Sequence, residues 1–355
     1  MKKVLASLFS LVLLVAVVGC SSSDSETDCS NGNIIMITDT GGVEDASFNQ
    51  GTYEGVLKLV DESDGVCSKA IESTNEADYA PNLNTASEEN PDLIVAAGFK
   101  FGDSMLEVAT DNEDQNFLLI DMVVADENGE QLPNVASAVF AEHEGSYLVG
   151  VAAAMKAKQD GHDTVGFVGG EESELINKFA AGYKAGVLSV DPDMKVLITY
   201  TGTFVEPGKG KAEADKLYGQ GAYIIYHAAG GSGNGVISAA QDIYNQADSP
   251  EDAVWVIGVD RNQYEEGKVD KEDSESHSVI LTSMLKKVDV ASYDVSKLTI
   301  DGKFPGGEIL TFNLENDGVG IPDENPNLDD EIVKAVEAAK QDVLDGNVVV
   351  PETLD

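Results

Sequence analysis

Polar, aromatic and glycine residues follow directly after several apolar segments of this sequence. The stretch MITDTGGVEDASFNQ places Asp39, two glycines and the pair Phe48 and Asn49 behind an apolar run. Other apolar runs are followed in the same way by Asp121, by Phe204, by Gly230 and by Asp260. Carboxylates accept hydrogen bonds from polar ligands, and amide side chains both donate and accept them. Aromatic rings stack on flat ligands. Together these residue types indicate a binding site, although a single Asp after a strand is more often a turn cap.

Motifs for catalysis or metal binding are absent from the sequence. It has no Walker loop, no zinc-type spacing of Cys and His and no G-x-S-x-G motif, and its four histidines are scattered. The stretch AAGGSGNG lacks the dinucleotide-binding spacing, and DENGE lacks the remaining positions of a calcium loop. We therefore expect a binding protein that uses no metal and no cofactor, not an enzyme.

Short β-branched apolar runs alternate with longer amphipathic runs from Asn33 onward. NIIMITD, DLIVAAG, TVGFVGG and AVWVIGVD are examples of the first kind, and EGSYLVGVAAAMKAK is one of the second. Continuous apolar runs are typical of strands that are covered on both faces. The alternation predicts an α/β fold with parallel sheets, whose ligands bind beyond the carboxyl ends of the strands. At 355 residues the chain is long enough for two lobes.

The N-terminus has the features of an export signal. Lys2 and Lys3 precede an apolar stretch, which ends in the sequence VVGC and is followed by a Ser-rich segment. We interpret residues 1–19 as a signal peptide, Cys20 as a lipidated, palmitate-bearing residue, and residues 20–32 as the tether. The alternative is an ordinary secretory signal with an incidental cysteine. No other segment of the sequence is apolar and long enough to cross a membrane.

The chain is strongly acidic. Its 22 Lys and Arg residues stand against 64 Asp and Glu residues, which gives a formal net charge of −42. Such a charge repels phosphate backbones, so it argues against nucleic acid and anionic lipid as partners. Hydrophobic residues still make up 42% of the chain, so the acidic residues are expected to coat a folded protein.

Several segments resemble the basic membrane protein family of substrate-binding lipoproteins, whose members include purine nucleoside receptors of ABC importers. They are DTGGVEDASFNQGTYEGVLK, VGFVGG, YTGTFVEPGKGK, YHAAGGSGNGV, VIGVDRNQ and LTSMLKKVD. The resemblance implies a two-lobed periplasmic-binding-protein type I fold, with three crossings near Phe140, 260–279 and Glu308. Lobe 1 is then expected at 33–140 plus about 279–307, lobe 2 at 141–260 plus about 308–355, and a crossing region at 261–278.

The resemblance also implies roles for individual residues. Asp39, Phe48 and Asn49 are expected to face the cleft, with Phe48 and Phe204 on either side of a purine. Asp121, Asp260 and Lys286 would hold the sugar hydroxyls, and Gly230 would supply a backbone contact. The implied protein is anchored by lipid on the extracytoplasmic side of the cell membrane and delivers a nucleoside to the ABC permease subunits.

Other functions remain open at this stage. A sensor would use the same closure to signal through a membrane partner, a sugar-like ligand would fit the same fold, and a nucleoside hydrolase would need catalytic residues.

Two further cysteines precede the first two predicted strands. In the implied fold these strands are neighbours that start at the same edge of a sheet, so a disulfide between Cys29 and Cys67 is expected. The alternative is two free thiols.

Overall fold

The computed structural model describes residues 29–247, 253–269 and 277–354. The predicted signal peptide, Cys20 and most of the predicted tether lie outside the described residues. Among the residues described, no helix combines the length and the apolar character that a membrane span requires.

The first lobe is built on a six-stranded parallel sheet with the order β13-β5-β4-β3-β1-β2. Its strands are β1 (Gly32–Ile37), β2 (Val66–Ile71), β3 (Leu93–Ala97), β4 (Phe117–Ile120), β5 (Val135–Phe140) and β13 (Ile309–Phe312). The helices of this lobe are α1 (Phe48–Glu62), α2 (Tyr79–Glu88), α3 (Gly102–Asp111) and α8 (Val288–Ile300), and α8 packs on α1.

The second lobe is built on another six-stranded sheet, with the order β14-β12-β9-β8-β6-β7, in which only β14 is antiparallel. Its strands are β6 (Thr164–Gly169), β7 (Lys195–Tyr200), β8 (Ile224–Ala228), β9 (Trp255–Asp260), β12 (Ile280–Lys286) and β14 (Val319–Gly320). A short hairpin of β10 (Lys268–Val269) and β11 (His277–Ser278) lies beside it. The helices are α4 (Glu142–Gln159), α5 (Glu174–Val190), α6 (Pro207–Gly219), α7 (Gly233–Gln246) and α9 (Asp330–Leu344).

Continuous apolar runs form the centres of both sheets, as the sequence predicts. Every residue of β3 (LIVAA), β4 (FLLI) and β6 (TVGFVG) is buried, because helices cover both faces of each sheet. The α/β fold of two parallel-sheet lobes flanked by helices is therefore confirmed.

The chain crosses between the lobes three times within its described residues. The crossings follow β5, β12 and β13, at 140–142, 286–288 and 312–319. Hydrogen bonds hold them side by side, because the amide of Ala141 donates to the carbonyl of Phe312 and that of Lys287 to the carbonyl of Gly318. The crossings thus form one compact hinge.

Two of the predicted crossings and two lobe assignments need correction. Residues 280–286 were expected in lobe 1, but β12 pairs with β9 in the second sheet. Residues 309–312 were expected in lobe 2, but β13 pairs with β5 in the first sheet. The second crossing therefore lies at Lys287 rather than at 261–278, and the third follows Phe312 rather than Glu308. An apolar strand pattern does not specify which of two sheets the strand joins.

A disulfide joins the first two strands at the edge of the sheet opposite their carboxyl ends. Cys29 and Cys67 are bonded, with their Cα atoms 5.2 Å apart, and Cys67 stands opposite Asn33 in the parallel register. The bond closes a loop over 38 positions that contains β1 and α1.

We predict that reducing this disulfide lowers the free energy of unfolding by about 3–4 kcal/mol, because the unfolded chain gains the entropy of the opened loop. Denaturant unfolding of a soluble variant that lacks Cys20, with and without reductant, measures the difference. A Cys67→Ser variant should match the reduced protein. Two reactive thiols in the denatured, unreduced variant would show that no such bond forms.

Candidate ligand-binding site

A cavity with about 570 Å³ of empty space lies between the lobes, at the carboxyl ends of both sheets. This volume includes space that is open to solvent. All eight residues that the sequence singled out line this one cavity. The first lobe contributes Asp39, Phe48, Asn49 and Asp121, and the second contributes Phe204, Gly230, Asp260 and Lys286.

The loop between β1 and α1 is held by a network around two carboxylates. Asp39 Oδ1 accepts hydrogen bonds from the amide of Gly41 at 2.8 Å and from Asn49 Nδ2 at 2.7 Å. Asp45 accepts from the backbone amides of Ser47, Asn49 and Gln50, and also from Asn49 Nδ2. Asp45 therefore supplies the acceptors that the first turn of α1 would otherwise lack.

The amide group of Asn49 is engaged within this network. Its Nδ2 donates to both Asp39 and Asp45, and its Oδ1 accepts from the backbone amide of Asp39 at 3.2 Å. The side chain is also nearly inaccessible, with 1% of its surface exposed. Asn49 thus lies at the cavity as predicted, but its donors are used to position the two carboxylates.

A buried ammonium group occupies the hinge side of the cavity. Lys286 Nζ is 2.7 Å from a carboxylate oxygen of Asp121 and 3.2 Å from one of Glu142, and all three side chains are at least 95% buried. The rings of Phe48, Phe140 and Phe179 also surround it, with centroids 5.3, 5.0 and 5.4 Å from Nζ. Cations are attracted to aromatic faces at these distances.

Burial and charge act in opposite directions on this cluster. Burial raises the pKa of Asp121 above its usual range, and it raises the pKa of Glu142 to about 7, although Lys286 opposes both shifts. Burial alone would lower the pKa of Lys286, but Asp121 and Glu142 together raise it. The ammonium is therefore held in its charged form.

Asp260 and Asp121 occupy unusual backbone conformations at the ends of their strands. Their φ angles are 66° and 76°, in the left-handed region that non-glycine residues seldom adopt. Ser47 Oγ of the first lobe donates to Asp260 Oδ2 across the cleft. Burial raises the pKa of Asp260 to about 6, against the attraction of Lys286, and burial likewise raises the pKa of Asp39 to about 6.

Phe204 and Gly230 form the rim of the cavity on the second lobe. The ring of Phe204 meets that of Phe99 from the first lobe edge to face, with centroids 6.5 Å apart. Gly230 has a φ of 52°, and a Cβ atom there would lie 3.3 Å from the carbonyl oxygen of Phe204. A glycine thus suits this close approach of two loops.

Several residues in or next to the site, among them Asp45, Phe179 and Glu142, were not among the eight predicted ones. Asp45 stands among charged residues just ahead of α1 in the sequence; it caps that helix and lines the cavity. Phe179 also lines the cavity, yet in the sequence it is one apolar residue of the amphipathic helix α5. Glu142 contacts Lys286 from the first turn of α4. Only a three-dimensional arrangement shows that these residues meet.

Comparison with known proteins identifies the family. The family model described as "ABC transporter substrate-binding protein PnrA-like" (Bmp) matches residues 33–353. The chain belongs to the Bmp family. This membership confirms the resemblance, and it assigns the chain to the ABC transporter substrate-binding proteins, which bind ligands and are not enzymes.

Several known proteins resemble the chain over most of its length. A "CD4+ T-cell-stimulating antigen" of Listeria innocua is 38% identical over 99% of both chains, as is the "ABC transporter nucleoside-binding protein BmpA" of Lactococcus lactis subsp. cremoris. A solved ABC transporter solute-binding protein from Aeropyrum pernix is 27% identical, with a TM-score of 0.76 over 91% of this chain and 94% of its own.

We predict that Asp260→Asn raises the free energy of unfolding of the ligand-free protein by up to about 3 kcal/mol near neutral pH. The folded-state pKa of Asp260, about 6, lies above its ordinary value of 3.8, so the folded protein binds this proton more tightly than the unfolded chain. Ionised Asp260 is therefore destabilising above about pH 6, and this cost disappears as the pH falls below about 4.

Urea unfolding of both proteins at a series of pH values measures this effect. The two curves should separate between about pH 4 and pH 6 and coincide below that interval. A difference that is the same at every pH would contradict it.

Proposed function

We propose that this protein is a lipid-anchored extracytoplasmic receptor that captures a nucleoside, with purine nucleosides preferred, and delivers it to an ABC permease. One observation carries the proposal. The cavity between the lobes combines aromatic rings with carboxylates and an ammonium group, and each lobe contributes four of the eight predicted residues. A nucleoside has both a flat base and a hydroxylated sugar, and so matches this mixture.

The base is proposed to bind between Phe48 and Phe204, which lie on opposite lobes at the cavity. A flat base gains most from stacking on aromatic faces, and closure of the lobes would place a ring on each side of it. Asp39 lies at the same cavity with one oxygen, Oδ1, held by two donors. Its second oxygen, Oδ2, can accept from an N–H group of a base.

The sugar is proposed to bind near Asp121, Asp260 and Lys286. A carboxylate accepts hydrogen bonds from two neighbouring hydroxyl groups, and an ammonium group donates to a sugar oxygen. Asp121 and Lys286 are already in contact at 2.7 Å, so they would present an acceptor and a donor side by side. Gly230 is proposed to contribute a backbone contact.

Lipid anchoring at Cys20 is supported by the VVGC sequence and the polar segment behind it. The relative named as a nucleoside-binding protein supports the ligand class, and the family supports delivery to a permease.

Cys20→Ser should move the protein from the membrane fraction to the soluble fraction, and a variant that stays with the membrane would contradict the anchor.

Mass spectrometry of the ligand released from denatured, freshly purified protein tests the proposed ligand class. A purine nucleoside is the expected finding. Release of a sugar, or calorimetric titration with binding of sugars but not of nucleosides, would replace the proposal by sugar capture.

We predict that Phe48→Ala and Phe204→Ala each weaken nucleoside binding by about 1–3 kcal/mol, because each removes one stacking surface for the base. Isothermal titration with guanosine and adenosine measures the loss. Both variants should keep the wild-type circular dichroism spectrum, since each side chain is only partly buried.

Phe304→Ala is the matched control for these variants. Phe304 is also a partly buried phenylalanine, but it is not among the described residues that line the cavity. The affinity of the Phe304→Ala variant for nucleosides should equal that of the wild type. Wild-type affinity in both the Phe48 and Phe204 variants would rule out the stacking arrangement.

A further inference from the structure

Three consecutive residues of the first lobe, Asp45, Ala46 and Ser47, form hydrogen bonds to the second lobe. Asn234 Nδ2 donates to the carbonyl of Asp45 at 3.1 Å, and Gln263 Nε2 donates to the carbonyl of Ala46 at 3.0 Å. Ser47 Oγ donates to Asp260. We call residues 45–47 the latch segment. Its partners come from α7, from the end of β9 and from the loop that follows β9.

We propose that Asn234 and Gln263 are positioning residues that set the affinity of the protein by holding the latch segment when the lobes are closed, without touching the ligand. Within the part of the chain that the structure describes, neither residue lines the cavity. The inference relies on the proposed function only for its probe ligands.

The latch segment is rigid on its own lobe. The side chain of Asp45 accepts from three backbone amides of the segment and of the first turn of α1, which fixes the direction of the two carbonyl groups. Ala46 has a φ of 56°, a left-handed conformation that is unfavourable for an L-residue. This conformation is therefore imposed by its surroundings, and it aims the carbonyl of Ala46 at the second lobe.

Gln263 is equally rigid on the second lobe. Its side chain is fully buried, and its Oε1 accepts from the backbone amide of Val259 at 2.9 Å. The backbone amide of Gln263 donates to Ser283 Oγ at 3.1 Å. A Cβ atom at Gly258 would lie 2.6 Å from Gln263 Oε1, so this glycine leaves the space that the side chain occupies. With Oε1 used inside the lobe, Nε2 remains for Ala46.

Because the groups are rigid on both lobes, their contacts add a constant amount to the free energy that favours the closed state. If the lobes separate, the carbonyls of Asp45 and Ala46 and the side-chain amides of Asn234 and Gln263 are hydrated instead. The contacts between them therefore stabilise only the closed state. A ligand that binds the closed state gains affinity in proportion to the population of that state. Any change in the latch contacts should therefore alter the affinity for every ligand by the same factor.

Asn234→Asp and Gln263→Glu test this proposal. Each replacement keeps the shape of the side chain but turns the NH₂ group that faces a carbonyl into an oxygen. An acid at position 234 lies in the first turn of α7, where the helix dipole favours it, so the second lobe should fold normally. Because burial raises the pKa of a carboxyl group and Gln263 is fully buried, affinity is measured from about pH 7 to pH 9, and the loss at position 263 should grow as the pH rises.

We expect each variant to bind guanosine and adenosine about tenfold more weakly, by equal factors, through faster dissociation in stopped-flow experiments. The melting temperature of the ligand-free Asn234→Asp variant should be unchanged, because this side chain is only partly buried. The matched control is Asn262→Asp, which makes the same change of charge at an exposed residue next to Gln263. Its affinity should stay within about twofold of the wild type.

Three results would overturn the proposal: unchanged affinity, unequal losses for the two nucleosides, or, for Asn234→Asp, a loss of affinity that follows a lower melting temperature. The first denies any effect on closure, the second indicates contact with the ligand, and the third indicates a structural role within the lobe. If the wild-type protein binds neither nucleoside, the proposed function fails instead. The same variants are then compared with the compound that the purified protein releases.

Discussion

The buried ammonium group of Lys286 is the interaction on which the arrangement of the two lobes depends. It belongs to the last residue of β12, directly before the second crossing, and it contacts Asp121 of the first lobe and Glu142 directly after the first crossing. Removing a charge from water costs several kcal/mol unless partners compensate for it. The compensation here comes from both lobes, so the position of the lysine relative to the crossings fixes how the lobes meet.

The cavity is lined by more acidic than basic side chains. Asp39, Asp45, Asp121 and Asp260 line the cavity, and Lys286 is the one cationic side chain among the described residues that line it. The protein satisfies most of these carboxylates with its own donors, such as the four N–H groups on Asp45. The oxygens that remain are acceptors. A neutral ligand with several N–H or O–H donors therefore fits the cavity better than an anion, whose charge would add to the repulsion.

The sequence predicts the strands and the residues behind them well, because both depend on local patterns. Apolar runs of β-branched residues mark buried strands, and the loops after parallel strands must converge at one edge. The positions of Asp39 and Asp121 directly after such runs predict that they lie at one edge of the same sheet. Asp260 belongs to the other sheet, and only the family resemblance implied that it shares their site. The assignment of β12 and β13 to the lobes was wrong, since their patterns suit either sheet. Pairing between strands that are distant in the sequence decides that choice.

Individual roles at the site could not be read from residue types. Asn49 looks like a direct ligand contact, but its donors are used on Asp39 and Asp45. Glu142 looks like an ordinary acid in the first turn of a helix, but it faces Lys286 at 3.2 Å with no exposed surface. The partners of Asn49 lie in the loop directly before it, but the residue types alone do not show that its donors are used there. The partner of Glu142 comes from a distant part of the chain.

Ala46, Asp121 and Asp260, which lie at or next to the cavity, all have a left-handed backbone conformation. A residue in this conformation turns the chain sharply at the end of a strand or before a helix, and the cost for a non-glycine residue must be met by its surroundings. Asp121 is held by Lys286, Asp260 by Ser47, and the carbonyl of Ala46 by Gln263. All three of these contacts cross between the lobes. The strained positions are therefore stabilised most when the lobes are closed, which links the local backbone geometry at the cavity to the closure of the whole protein.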